Sequence, residues 1–353
     1  MVLAIESSCD ETAAAVVHNG VILSNTVASQ ALLHSEYGGV VPELAVREHL
    51  RNLLPVVRDA MGRAGVTPSD LAAVVATRGP GLPAALAAGY AAAQGFALAR
   101  GLPLLGVHHH EAHLYSPWIS GTPPHAAWDV LEPHVCLVVS GGHTLLVRVD
   151  AFGRHVVLGG TLDDAAGECL DKCAKLMGLG YPGGPQVDQL AEQGRADASL
   201  FPRPTLHEAH DDFSFSGLKT SVRTYLARHP GCTDDGERLR NLCAELRAAV
   251  VDVLVGKALR AARRQGVRCI TASGGVACSV GFRRELALRC QREGLACRIA
   301  LPAYCTDNAA MVGVLGEQLV RSGAQPDAPG LEVSPGWELA AVRHSQALGC
   351  PSA

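Results

Sequence analysis

The densest chemistry in the chain lies in Val107-His108-His109-His110-Glu111-Ala112-His113. An apolar run ends at Val107 and a helix opens near His109, so His109 and His113 fall four apart on one helical face. Two imidazoles at that spacing can hold one divalent metal, with a third nitrogen or oxygen ligand from elsewhere. No histidine stands three residues beyond Glu111, so the H-E-x-x-H helix of a zinc protease loses its main support. The plainer alternative is a helix whose histidines are merely polar.

A second group is made of glycine turns. Ser140-Gly141-Gly142-His143-Thr144 sits in a hairpin, Gly183-Gly184 follows a helix, and Gly274-Gly275 falls between a strand and a helix. Such turns let backbone N–H groups approach a phosphate, and the last also offers a helix start. Each alone is ordinary punctuation, and none matches a P-loop or a G-x-G-x-x-G fingerprint. A third group is acidic: Asp10-Glu11, Asp163-Asp164, Glu168, Asp171 and Asp307. Asp307 stands at an expected helix start, where it has an ordinary role as cap. Asp171, four residues before Lys175, reads equally well as half of a helical ion pair.

Elements must position these groups. Residues 3–17 and 136–149 share one grammar, an apolar run, a polar turn with Ser and Thr, and a second apolar run. Both read as β-hairpins, and the repetition points to two related lobes. Helices are expected over 42–65, 86–100, 165–177, 235–264 and 280–292, with strands at 71–76, 102–107, 268–272 and 297–301. A last helix opens at Thr306-Asp307. Residues 116–134 read as the inter-lobe connection, and 325–336 as a surface loop. The alternation predicts α/β architecture with mixed sheets. With the glycine turns it predicts a nucleotide cleft between two lobes, as in actin, Hsp70 and sugar kinases.

Composition sets bounds. At 353 residues two domains are the default. Hydrophobic residues at 48% and charged residues at 18% exclude intrinsic disorder. The balance of 30 basic and 34 acidic residues, −4, excludes a basic coat and leaves only local patches, such as Arg260, Arg263, Arg264 and Arg268. No apolar run reaches the ~18 residues of a membrane span, and no basic leader precedes Val2, so a cytoplasmic protein without signal or transit peptide is expected. The 12 cysteines run from Cys9 to Cys350 without a C-x-x-C pair and read as buried, reduced thiols.

The stretches IESSCDETAAAVV (5–17), HSEYGGVVPELAVREHL (34–50), RGPGLPAAL (78–86), VHHHEAHLYSP (107–117), LVVSGGHT (137–144), DDAAGECLDKCAKLMGLGYPGGP (163–185), FSFSGLKT (213–220), ASGGVA (272–277) and TDNAAM (306–311) occur in one order along the chain. Together they resemble the TsaD family of tRNA threonylcarbamoyladenosine transferases, once described as O-sialoglycoprotein endopeptidases. A bacterial member fits best.

The resemblance implies an α/β, two-lobed actin/Hsp70/sugar-kinase-like (ASKHA) fold with a nucleotide and metal cleft. Its lobes would be 1–125, with 310–353 returning to it, and 126–309. It implies one divalent metal, Fe2+ or Zn2+, on His109, His113 and Asp307. The adenylate of threonylcarbamoyl-AMP would contact Val138, Val139, Ser140, Gly141, Gly142, Asp171, Gly184 and Asp188. The family loop GGVxxN ends here in Ser279, which keeps a hydroxyl but loses the amide and would make the adenine-side substrate contact. Asp10 and Glu11 are the candidate general bases. Implied partners are tRNA, an inactive paralogous subunit of the TsaB type and a small ATPase of the TsaE type, with no membrane. The rival readings are a metallopeptidase and an Hsp70-like ATP-driven binding module.

Overall fold

The computed structural model describes residues 1–344; Cys350 and the stretch 345–353, expected in the first lobe, lie outside them. The chain forms two compact units. Of the described residues, one holds Met1–Leu33, Val40–Leu131 and 307–344, the other His34–Gly39 and Glu132–Thr306.

The first unit opens with β1 (Val2–Glu6), β2 (Glu11–His18) and β3 (Val21–Ser29). Helices α1 (Ala31–Ser35) and α2 (Pro42–Ala64) follow, then β4 (Ala73–Gly79), α3 (Pro83–Arg100), β5 (Leu104–His108) and α4 (His109–Tyr115). Short strands β6 (Ile119–Ser120) and β7 (His125–Ala126) complete a sheet of order β5-β4-β1-β2-β3-β7-β6. β1 pairs antiparallel with β2 and parallel with β4, and every residue of β1 is buried, as a strand covered on both faces requires.

The second unit repeats this plan. It contains β8 (His134–Val139), β9 (Thr144–Ala151), β10 (Arg154–Gly160), α5 (Ala166–Leu176), α6 (Gly183–Ala191), α7 (Ser216–Arg228), α8 (Gly236–Gln265), β11 (Cys269–Ser273), α9 (Val280–Arg292), β12 (Ala296–Ile299) and α10 (Pro302–Cys305). Its sheet runs β10-β9-β8-β11-β12, an antiparallel meander beside parallel strands. The order β3-β2-β1-β4-β5 in the first unit is the same, so the repeated hairpins were the visible part of a repeated five-stranded sheet. A core of Val135, Leu137, Leu146, Phe213, Leu254 and Ile270 fills the second unit.

The last helix, α11 (Ala309–Arg321), packs on the first sheet. Glycine is needed there: a Cβ on Gly313 would come 2.7 Å from Val17 Cγ2, and one on Gly316 would collide with Val75. Among the described residues no helix is long and apolar enough to cross a membrane. All eleven described cysteines are free thiols, most of them buried.

Several local expectations need correction. Residues 116–134 are not a plain connection, because β6 and β7 lie among them and β7 pairs with β3. The helix expected from Thr306-Asp307 begins at Ala309, and Asn308 caps it by accepting the Met311 N–H at 3.0 Å. Asp163 accepts the N–H groups of Phe215 and Ser216 at the start of α7. The arginines near the end of α8 are engaged internally: Arg260 donates to the carbonyls of Leu206 and His210, Arg264 pairs with Asp211 and Arg263 with Glu293. Strands β3 and β10 and helix α7 had no counterpart in the sequence reading.

Candidate functional site

Helix α4 begins directly after β5, and this abrupt change sorts the three consecutive histidines. His108 is its cap: Nδ1 accepts the Glu111 N–H at 3.3 Å, and Nε2 donates to the Trp337 carbonyl at 2.9 Å. His110 is buried and packs its ring against those of His108 and His109. His109 and His113, one turn apart, turn to the same side with ring centroids 4.8 Å apart. Asp307, just before the cap of α11, brings Oδ1 to 3.4 Å from His109 Nε2 and 3.1 Å from His113 Nε2. The three residues offer ligand atoms that all lie within 4.8 Å of one another.

A carboxylate that the sequence reading missed stands behind this trio. Glu6, the last residue of β1, is fully buried. Its Oε2 lies 3.0 Å from His109 Nδ1 and accepts the Thr77 hydroxyl at 2.6 Å, while Oε1 accepts the Ser8 N–H at 2.5 Å. With Nδ1 committed to Glu6, Nε2 is the nitrogen of His109 left to face Asp307. Carboxylate–imidazole support of this kind is usual behind a bound metal. The signal was available: an acid ending an otherwise apolar strand needs a partner.

Electrostatics match. Burial works against charge on Asp307, yet His109 and His113 hold its carboxyl well below the usual range. Burial likewise opposes a charged His109, but Asp307 and Glu6 raise its pKa well above the ordinary value. In His113 burial dominates and lowers it. Two imidazoles and one carboxylate oxygen, closely grouped on rigid helix ends, are a donor set that suits a divalent transition metal. The trio can hold a metal ion.

Asp10 ends the β1–β2 turn and Glu11 opens β2. His49 from α2 pins that turn, with Nε2 donating to the Cys9 carbonyl at 2.9 Å and Nδ1 2.8 Å from the Thr12 hydroxyl. Burial, together with Asp10 and Asp307, pushes the Glu11 carboxyl up to about 9, and the Ser29 hydroxyl donates to it at 3.1 Å.

The residues expected around an adenylate lie in the second unit, and contacts link them in a closed ring. Val138 and Val139 end β8, and the turn after them is tight: Ser140 N–H donates to the His143 carbonyl at 2.8 Å. Gly141 and Gly142 are exposed. Helix α5 approaches this turn at Gly167, where a Cβ would lie 2.5 Å from the Ser140 carbonyl oxygen. Further along α5, Asp171 Oδ1 accepts the N–H groups of Gly183 (2.8 Å) and Gly184 (3.0 Å) at the start of α6. Burial raises the Asp171 pKa against the pull of those amides. From α6, Asp188 Oδ1 accepts the Ser279 hydroxyl at 2.6 Å. The short turn 275–278 leads back to Gly274, whose φ of 91° and contact with the Val139 backbone leave no room for a side chain. All of this sits at the C-terminal ends of the parallel strands β8 and β11, where α/β sheets bind ligands.

Residues 21–314 match the family model TsaD, tRNA N6-adenosine threonylcarbamoyltransferase. The protein of that name from Trichlorobacter lovleyi is 46% identical over 349 residues, covering 99% of each chain. The one from Geobacter sulfurreducens is 48% identical over 326 residues, 92% of this chain and 93% of its own. Among solved structures, HypF from T. kodakarensis matches with a TM-score of 0.60 at 14% identity, over 92% of this chain and 48% of that one. Component A of the Acidaminococcus fermentans (R)-2-hydroxyglutaryl-CoA dehydratase matches at 0.53 and 15%, over 89% and 96%. These distant likenesses are of fold alone, and the expected α/β fold of the actin/Hsp70/sugar-kinase class holds. The chain belongs to the TsaD family of tRNA N6-adenosine threonylcarbamoyltransferases.

Proposed function

We propose that this chain moves the threonylcarbamoyl group from threonylcarbamoyl-AMP to the exocyclic amine of the adenosine 3′ to the anticodon, in tRNAs reading codons that begin with adenine. The observation that carries the reading is the His109/His113/Asp307 trio with Glu6 behind it, in a chain of this family. Neither a peptidase nor a chaperone-like module is favoured. The former lacks the glutamate-bearing zinc helix, and the latter has no use for transition-metal ligands.

The reaction exchanges one bond for another. The carbamoyl C–O bond to AMP breaks, a C–N bond to the adenosine amine forms, and that amine loses a proton. Gly141 and Gly142 offer backbone N–H groups to the phosphate, where they would stabilise charge on departing AMP, and Gly184, whose N–H is given to Asp171, leaves the substrate room by lacking a side chain. Val138, Val139 and Ser140 line the same turn, and Asp171 and Asp188 anchor the helix starts around it. Asp10 is the proposed proton acceptor, while Glu11 beside it, its carboxyl pushed up to about 9 by burial, keeps its own proton at neutral pH. A divalent ion on His109, His113 and Asp307, iron(II) in preference to zinc, would supply Lewis-acid polarisation and orientation of the threonylcarbamoyl group.

Partners follow from charge. A −4 chain provides few phosphate contacts of its own. We propose that tRNA binding is shared with a TsaB-type paralogue and a TsaE-type ATPase, in the cytoplasm. The test incubates the purified chain and both partners with tRNA, threonine, bicarbonate and ATP, and analyses the tRNA nucleosides by mass spectrometry. Threonylcarbamoyladenosine is expected with wild type and absent with His109→Ala. Unmodified tRNA with a metal-loaded wild type would refute the reading.

A further inference from the structure

Asp188 accepts more than a substrate-binding carboxylate needs. Oδ1 takes the Ser279 hydroxyl (2.6 Å), Arg247 Nη1 (2.8 Å) and the Gly281 N–H (3.4 Å), and Oδ2 takes the Val280 N–H (2.8 Å). Arg247, in the middle of α8, also donates to the Asp188 backbone carbonyl at 3.1 Å and to Glu192 at 2.6 Å. It therefore holds both the side chain and the main chain of one residue. The guanidinium lies flat on the first turn of α9: a Cβ on Gly281 would be 2.5 Å from Arg247 Nε. Both charges are largely buried, with side-chain exposures of 12% for Arg247 and 14% for Asp188.

Ser279 is committed as well. Its oxygen caps α9 by accepting the Phe282 N–H at 3.1 Å while its proton goes to Asp188. A hydroxyl with one donor, already given, cannot donate to a ligand without releasing Asp188. With three partners on Oδ1 and one on Oδ2, the carboxylate is locked in rotation.

We propose that Arg247 is a positioning residue for the adenylate half of the substrate, acting through Asp188, and that Ser279 is its accessory in that clamp rather than a substrate contact. The inference rests on the reading that Asp188 meets the adenylate. A fixed carboxylate has already lost its rotational freedom, so less is lost when a ligand binds. Arg247 also offsets the paired acids Asp188 and Glu192, which would otherwise repel each other and an arriving phosphate.

The experiment measures ADP binding by calorimetry, together with KM and kcat for threonylcarbamoyl-AMP in the assembled system. The proteins are wild type, Arg247→Ala, Arg247→Lys, Gly281→Ala and Asp188→Ala. Arg247→Ala should weaken ADP about tenfold or more and raise KM similarly, with kcat within roughly twofold. Arg247→Lys, which keeps the charge but must reach the acceptors of Nη1 with a differently placed ammonium, should fall between. Gly281→Ala keeps every charged group and displaces the guanidinium, so it carries the test if Arg247→Ala fails to fold. It should shift ADP affinity in the same direction. A merely structural arginine would lower melting temperature and active fraction and leave KM alone. Wild-type ADP affinity in Arg247→Ala and Gly281→Ala, with binding lost in Asp188→Ala, would overturn the clamp alone. Wild-type affinity in Asp188→Ala would overturn the adenylate reading at this residue, and the clamp with it.

Discussion

Glu6 Oε2 sits 3.0 Å from Nδ1 of His109, and both side chains are buried. The bond decides which nitrogen of His109 is left for Asp307, and it joins the end of β1 to the start of α4 across 103 positions of sequence. A metal trio on a helix start would otherwise swivel with the imidazole. Here one nitrogen is committed to a carboxylate that Thr77 and Ser8 hold in turn.

Glu6→Gln should therefore weaken metal binding while His109 and His113 remain in place. The amide cannot accept from every donor that now faces Glu6, so the imidazole loses its fixed orientation. A loss of about 10–100-fold in metal affinity is expected by calorimetric titration. Wild-type affinity would show that the carboxylate serves packing only.

The histidines should separate by role. His109→Ala or His113→Ala abolishes stoichiometric metal and tRNA modification but preserves the fold. His108→Ala retains metal and costs about 1 kcal/mol of stability or more, as a lost helix cap does. Elemental analysis alongside denaturant melts reads both. One metal per chain in the His109/His113 double mutant contradicts the assignment.

Asp307 and Asn308 should differ in metal retention. Asn308 is the observed cap of α11, so Asn308→Ala loses about 1 kcal/mol and keeps the metal. Asp307→Asn should retain metal poorly and lose most transfer, because a neutral oxygen replaces an anionic one, and should also lower the melting temperature of the metal-free protein, where the carboxylate pairs with His109 and His113. Full activity with normal metal content in Asp307→Asn would return the third ligand to the unknown.

Two glycines near the phosphate turn predict different defects. A Cβ on Gly141 meets nothing within 4 Å, so Gly141→Val should fold normally and still lose adenine-nucleotide affinity by filling the space a phosphate needs. Gly167→Ala places its Cβ 2.5 Å from the Ser140 carbonyl oxygen and should reduce melting temperature as well. Unchanged ADP affinity in Gly141→Val places the phosphate elsewhere.

His134 should make the fold acid-sensitive. Burial holds its pKa down to about 4, against 6.5 ordinarily, while Nδ1–H donates to the Glu132 carbonyl at 2.7 Å. Between those values the unfolded chain takes up a proton that the folded chain refuses. Stability therefore falls as pH drops from 6.5 toward 4, by about 3 kcal/mol at most from this group. His134→Gln should remove that part of the slope in urea melts at several pH values. An unchanged slope would assign the acid sensitivity to other groups.

The sequence by itself determined what depends on neighbours along the chain. The 3.6-residue period put His109 and His113 on one face, alternating apolar runs marked both hairpins, and glycines marked the turns that side chains could not make. Those patterns were enough for the α/β class and for most helices. The strands β3 and β10 were not legible, because they are meander strands of mixed exposure with no clean alternation. Only tertiary structure decided which of three adjacent histidines caps α4, and only it brings Asp307 to His113 across 194 positions. It also moved the cap from Asp307 to Asn308, placed Glu6 behind His109, and closed the ring from Gly141 through Asp171, Asp188 and Ser279 to Gly274. The reason is physical: a helix or turn forms from contacts a few residues apart, whereas a buried carboxylate chooses its partner by which strand ends and helix starts the packed core brings within about 3 Å.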